Sequence, residues 1–251
     1  MNCFSLPVLF LFSVFSFVVA CGQTEQTEIE KRKKVIQTPP DNVYPPSDIV
    51  ITTHSAWAST HYPERIAEFK ENRLEKNDII FLGNSITEQG GDWGKRVNNS
   101  KVKNRGISGD TTDGLLARLG ELVYVKPIKI FILIGINDFF ANLTAQQVYE
   151  NTLLIVSTIH NESPDTKIYV QTILPTATAS LKEKIQETNS LLQSSESTEP
   201  FMLILLHDEF KTQEGLMNWE YSTDGTHLNE KGYEIWSQII RSEIDKFKII
   251  R

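Results

Sequence analysis

The chain has 251 residues, enough for one domain with a substantial core. Its balance of 40% hydrophobic and 23% charged residues is that of a globular protein. A net charge of -7 lacks the basic footprint that nucleic-acid binding requires, so no nucleic-acid partner is expected. No segment repeats with a solenoid-like period.

The chain opens with MNCFSLPVLFLFSVFSFVVACGQTEQTE, in which Phe4 to Ala20 carry no charge. This run is short and terminal, as in a secretory signal. Val18-Val19-Ala20-Cys21 resembles the lipobox of bacterial lipoproteins, although no Lys or Arg precedes the apolar run. The resemblance implies removal of residues 1–20 and lipidation of Cys21. The alternative is a plain signal peptide with a chance cysteine. Once Cys3 leaves with the signal, Cys21 stands alone, and lipidation accounts for it. The expected location is therefore an exported bacterial lipoprotein, membrane-anchored in the periplasm or at the cell surface.

Residues 21–47 are polar and charged, with Pro39, Pro40, Pro45 and Pro46, and read as a tether. The basic run Lys31 to Lys34 either touches lipid headgroups or is simply solvated. Residues 48–251 read as the folded domain.

Within that domain, HYPERIAEFKENRLEKND places Ile66, Phe69 and Leu74 at helical intervals. DIIFLG (78–83) is a short, wholly apolar strand, and SKVKNRG (100–106) is a weaker one. TTDGLLARLGELVYVKP has the spacing of one helix, with Thr112 as its N-cap. KIFILIG (129–135), KIYVQTI (167–173) and FMLILLHD (201–208) are further strands. TAQQVYENTLLIVSTIHNESP and SLKEKIQETNSLLQS are helices between them, and NEKGYEIWSQIIRSEIDKF is a closing helix. Strands apolar on both faces, alternating with helices, predict a three-layer α/β domain with a parallel sheet. Ligands in such sheets bind at the carboxyl ends of the strands.

Four polar segments lie at or near those ends: Gly83-Asn84-Ser85; NRGISGDTT, with Gly106 and Gly109; GINDFF, with Asn137 and Asp138; and STDGTHLN, with Asp224 and His227. A serine hydroxyl becomes a nucleophile when a base takes its proton, and His227 is placed to be that base. Asp224 can orient the imidazole and stabilise its cation. The backbone N–H groups of Ser85 and Gly109 and the side-chain amide of Asn137 can supply an oxyanion hole.

FLGNSITE, GISGDTT, GIND and DGTHLN resemble blocks I, II, III and V of the SGNH (GDSL) hydrolases, in order, over about residues 78–236. The resemblance implies a flavodoxin-like fold with a five-stranded parallel sheet of order 2-1-3-4-5. It implies Ser85, Gly109, Asn137 and His227 as the four named residues, with Asp224 completing the triad. Asn84 stands where the family usually has Asp. The details look most like the subgroup of carbohydrate and sialate O-acetylesterases and platelet-activating-factor acetylhydrolase-like proteins. The expected activity is thus hydrolysis of short acyl esters through an acyl-enzyme, with sugar O-acetyl esters favoured. A phospholipid or lysophospholipid acylhydrolase is the alternative, and a non-catalytic glycan-binding module is the alternative of another class.

Asp138 reads as structural, Asp110, Thr111 and Thr112 as caps of the next helix, and His207-Asp208 as a structural pair. His54, His61 and His160 lack ligand spacing, so no metal and no cofactor are expected. Trp93 and Trp219 flank the blocks; each is either a stacking surface for substrate or a packing residue.

Overall fold

The computed structural model describes residues 39–245. The signal, Cys21, the basic run and most of the tether lie outside them.

Five parallel strands form one sheet in the order β2-β1-β3-β4-β5. They are β1 (Ile79–Gly83), β2 (Val102–Gly106), β3 (Lys129–Leu133), β4 (Lys167–Gln171) and β5 (Met202–Ile204). Alternate side chains enter two separate cores, which is why the strands read as continuous apolar runs. Phe81, Phe131 and Tyr169 face one core, completed by Tyr233, Trp236 and Ile240 of the closing helix. Ile80, Leu82, Ile130, Ile132 and Val170 face the other, with Leu115, Leu122 and Ile155 from the opposite helical layer.

The helices are, in chain order, α1 (Ala56–Glu71), α2 (Ser85–Glu88), α3 (Trp93–Arg96), α4 (Thr112–Ala117), α5 (Gly120–Val125), α6 (Ile136–Phe140), α7 (Ala145–Glu162), α8 (Lys182–Ser195), α9 (His207–Phe210) and α10 (Glu230–Asp245). The register pairs Gly83 with both Gly106 and Leu133, so β1, β2 and β3 end level. The segments that follow them therefore meet on one edge.

The structure revises three local expectations. The helix predicted over 112–125 is two helices, broken at Arg118, and its N-cap is Thr111 rather than Thr112. The break lets the Arg118 side chain enter the interior, where its Nη1 donates to Arg105 O at 2.9 Å and its Nη2 to Gly83 O at 3.0 Å. The first helix starts earlier than the periodicity suggests, at Ala56 after the N-cap Ser55, and runs through Pro63. Finally, residues 39–47 pack on the domain instead of ending a tether. Tyr44 is buried and donates to Glu121 at 2.8 Å, while Arg73 holds Pro39 O and Asp41.

Candidate active site

The apolar run of β1 ends at Gly83, and Asn84 caps the short helix α2 by accepting from Ile86 N at 3.0 Å. An amide oxygen performs here the capping that a carboxylate would perform. Ser85 is the first residue of that helix, so the helix ladder leaves its backbone N–H free. Ser85 sits at the carboxyl edge of the sheet and is itself buried, 6% exposed.

The segment before α10 brings a histidine to that hydroxyl. His227 Nε2 lies 2.9 Å from Ser85 Oγ, across 142 residues of sequence. His227 Nδ1 lies 2.7 Å from Asp224 Oδ2. The carboxylate is fixed in turn by the backbone N–H groups of Thr226 and His227, which donate to Oδ1 at 2.9 and 2.8 Å. Burial works against the ionised Asp224, but these hydrogen bonds from His227 and Thr226 outweigh it and hold its pKa below the usual carboxylate value. With Asp224 accepting from Nδ1–H, Nε2 is the free acceptor of the neutral ring. The loop is braced by Ser222, which donates to His227 O at 2.6 Å, and by Ala177 N, which donates to Gly225 O at 2.7 Å.

The loop after β2 supplies the next group. Gly109 has φ +80, and a Cβ there would stand 2.7 Å from Ala58 Cβ, so both backbone shape and space demand glycine. Asn137, on α6, donates one amide hydrogen to Asp110 O at 2.9 Å. Its second amide hydrogen remains for a ligand. Ser85, Gly109 and Asn137 thus occupy three neighbouring strand ends.

Asp110 is the buried post of this corner. Arg118 Nε donates to its Oδ2 at 2.9 Å, His54 Nε2 lies 3.0 Å from its Oδ1, and Thr111 N also donates to Oδ1. Asp138 accepts from Thr112 N and its hydroxyl, and burial pushes its pKa up to about 6. His207 is structural, its Nδ1 2.8 Å from Ile173 O, and burial lowers its pKa.

A GDSL-like Lipase/Acylhydrolase family matches residues 81–235, which contain all four sequence blocks. The chain belongs to this family. It is an ester hydrolase. Human platelet-activating factor acetylhydrolase IB subunit alpha2 is 31% identical over 164 residues, 62% of this chain and 71% of that protein. A GDSL-like lipase from Bacteroides thetaiotaomicron superposes with a TM-score of 0.66 at 21% identity, over 74% of this chain and 97% of that one. An acetyl xylan esterase, AlAXEase, superposes with a TM-score of 0.57 at 16% identity, over 66% and 99%. The sheet order and layers of this acylhydrolase are those of the shared fold.

Trp93 does not reach substrate in this acylhydrolase. It is 1% exposed and packs against Phe81 and Trp236, with ring centroids 4.4 and 4.5 Å away. Trp219 is 60% exposed, and its ring lies 3.2 Å from where a Cβ of Gly225 would stand, beside the triad loop. Sequence reasoning missed Arg118 and His54 as supports of the Asp110 corner. The signal for Arg118 was a charge on the apolar stripe of an amphipathic segment. For His54 the sequence carried none, because its partner is 56 residues away.

Proposed function

We propose that this ester hydrolase removes short acyl groups, above all O-acetyl groups from carbohydrates, through an acyl-enzyme on Ser85. His227 takes the Ser85 proton as the hydroxyl attacks the ester carbonyl. Asp224 holds the imidazole in the productive tautomer and stabilises its cation. The N–H groups of Ser85 and Gly109 and the Asn137 amide receive the oxyanion. His227 then protonates the departing alcohol. Water, deprotonated by the same imidazole, releases the acid and restores Ser85.

The observation that carries this reading is the continuous hydrogen-bonded line from Ser85 Oγ through His227 to Asp224. It leaves little room for a non-catalytic glycan-binding module. The short acyl group is supported by the openness of the site: the Asp224 side chain is 54% exposed and that of His227 27%. An exposed Asp224–His227 side next to a buried Ser85 suits a small acyl group on a bulky alcohol. The names of two similar proteins, an acetylhydrolase and an acetyl xylan esterase, describe acetyl-ester chemistry. The identity to platelet-activating factor acetylhydrolase also supports a second reading, hydrolysis of an acetylated phospholipid.

The lipobox-like segment ending at Cys21 supports an exported, lipid-anchored enzyme acting on glycans outside the cell. Substitution of Cys21 by Ala should release it from membranes; continued lipid anchoring would sink that part of the proposal.

The test is acetate release by the full-length protein, with Ser85→Ala as control, from O-acetylated sialic acid, acetylated xylan and an acetylated phospholipid. Ser85-dependent release from a sugar supports the main reading. Release from the phospholipid alone supports the second.

A further inference from the structure

We propose that Trp57 is a substrate-binding residue that stacks on the pyranose ring of the ester's alcohol. This inference rests on the carbohydrate-esterase reading and adds a residue from outside the family-matched segment, which begins at residue 81.

Four tryptophans divide by burial. Trp93 and Trp236 are in the core, whereas Trp57 and Trp219 are each 60% exposed. Both exposed indoles stand beside catalytic backbone. Trp57 Cζ3 is 3.6 Å from where a Cβ of Gly109 would stand, and Trp219 is 3.2 Å from the same position at Gly225. Gly109 belongs to the oxyanion loop, and Gly225 lies between Asp224 and His227. The two indoles therefore stand beside the Gly109 and Gly225 backbone, Trp57 from the first turn of α1 and Trp219 from the segment before the triad loop.

The local sequence explains the placement. Ala58 is 1% exposed and packs beneath Gly109. Trp57, one position earlier on α1, falls on the exposed side of that contact. Its ring stacks on His61 with centroids 4.8 Å apart and planes 23° from parallel. His61 Nε2 is 3.1 Å from both carboxylate oxygens of Glu88. Glu88 accepts in turn from Ser108 N, the residue before Gly109. The indole is thus tied to the oxyanion loop through side chains already in position, which lowers the ordering cost of binding.

The surroundings decide the chemistry of the ligand. The exposed neighbours of Trp57 are the N-cap Ser55 and, along α1, Ala56, Ser59, Thr60 and Glu64, and those of Trp219 include Glu220 and Thr223. An acyl chain needs a continuous apolar wall. A single aromatic face set among hydroxyls and carboxylates suits a ligand with an apolar face and a hydrogen-bonding edge, which describes a sugar ring.

The experiment compares the full-length protein with Trp57→Ala, Trp57→Phe and Tyr124→Ala. Tyr124 is half-exposed on α5, just before the amino end of β3, and so lies at the opposite edge of the sheet. The substrates are an O-acetylated xylo-oligosaccharide, ethyl acetate and an acetylated phospholipid. Trp57→Ala should lower kcat/KM for the sugar ester, relative to ethyl acetate, by about tenfold, mainly through KM. Trp57→Phe should restore part of the loss, and Tyr124→Ala should change neither substrate. An unchanged ratio in Trp57→Ala overturns the stacking role and leaves the esterase reading intact. A loss confined to the phospholipid overturns the sugar assignment. If the wild-type protein hydrolyses ethyl acetate and no sugar ester, the carbohydrate reading fails and the stacking role falls with it.

Discussion

The side-chain amide of Asn137 donates to the backbone carbonyl of Asp110 at 2.9 Å. That bond uses one amide hydrogen, and the proposed mechanism assigns the other to the oxyanion. Asn137→Ala should reduce kcat by about 10²–10³. KM for a soluble ester should change far less, because the donor acts on the oxyanion and not on the ground state. Steady-state kinetics on a chromogenic acetyl ester checks this, and an unchanged kcat removes Asn137 from the hole.

Arg118 holds the corner from behind. Its guanidinium joins Asp110, Arg105 O and Gly83 O, and both charged partners are buried. Arg118→Met leaves the Asp110 carboxylate without its charged partner. A stability loss of about 3–5 kcal/mol is expected in denaturant unfolding. The remaining folded protein should show a lower kcat, since Gly109 and Asn137 lose their common support. A variant with wild-type stability would show that the pair is dispensable.

Asp138 carries a pH signature. Its pKa is raised from 3.8 to about 6, chiefly by burial. The folded state therefore binds this proton more tightly than the unfolded chain does. The group's contribution favours the fold below the unfolded value and is lost as pH rises from about 4 through 6. The full change is on the order of 2–3 kcal/mol. Asp138→Asn should remove this pH-dependent part, so the stability difference between variant and wild type should shift toward the variant between about pH 4 and 7. Parallel curves across that range would contradict the assignment.

The proposed base, His227, should set the acid limb of activity. A protonated His227 cannot accept the Ser85 proton, so kcat/KM should fall on the acid side of the pH profile. Asp224→Asn keeps the shape of the loop but favours the wrong imidazole tautomer, and a kcat loss of about 10³–10⁴ is expected. A flat pH profile would argue against a histidine base.

β1 and β3 are legible because each is a run apolar on both faces closed by a glycine, Gly83 or Gly135, whereas β2, with Lys103, Asn104 and Arg105, gives a weaker signal. Their ends place Ser85, Gly109 and Asn137 on one edge of the sheet. Three features were hidden. The stripe from Leu115 to Val123 has unbroken helical spacing, and the break comes from Arg118 reaching partners in β1 and β2. The start of α1 is obscured by Pro63, so Trp57 drew no attention, although Ser55 is a good N-cap that marks the start. The opposite fates of Trp93 and Trp57 depend on Phe81, Trp236 and Gly109, which no local window contains. Tyr44 likewise reads as tether until its distant partner Glu121 is known.

The central claim is that Ser85 forms the acyl-enzyme. The most direct measurement is mass-spectrometric mapping of a fluorophosphonate adduct on the full-length protein, with acetyl-ester hydrolysis followed in the same samples. The account predicts one adduct on the peptide holding Ser85, loss of hydrolysis in step with labelling, and neither labelling nor turnover in Ser85→Ala. Hydrolysis persisting in Ser85→Ala, or an adduct on another residue, would contradict it.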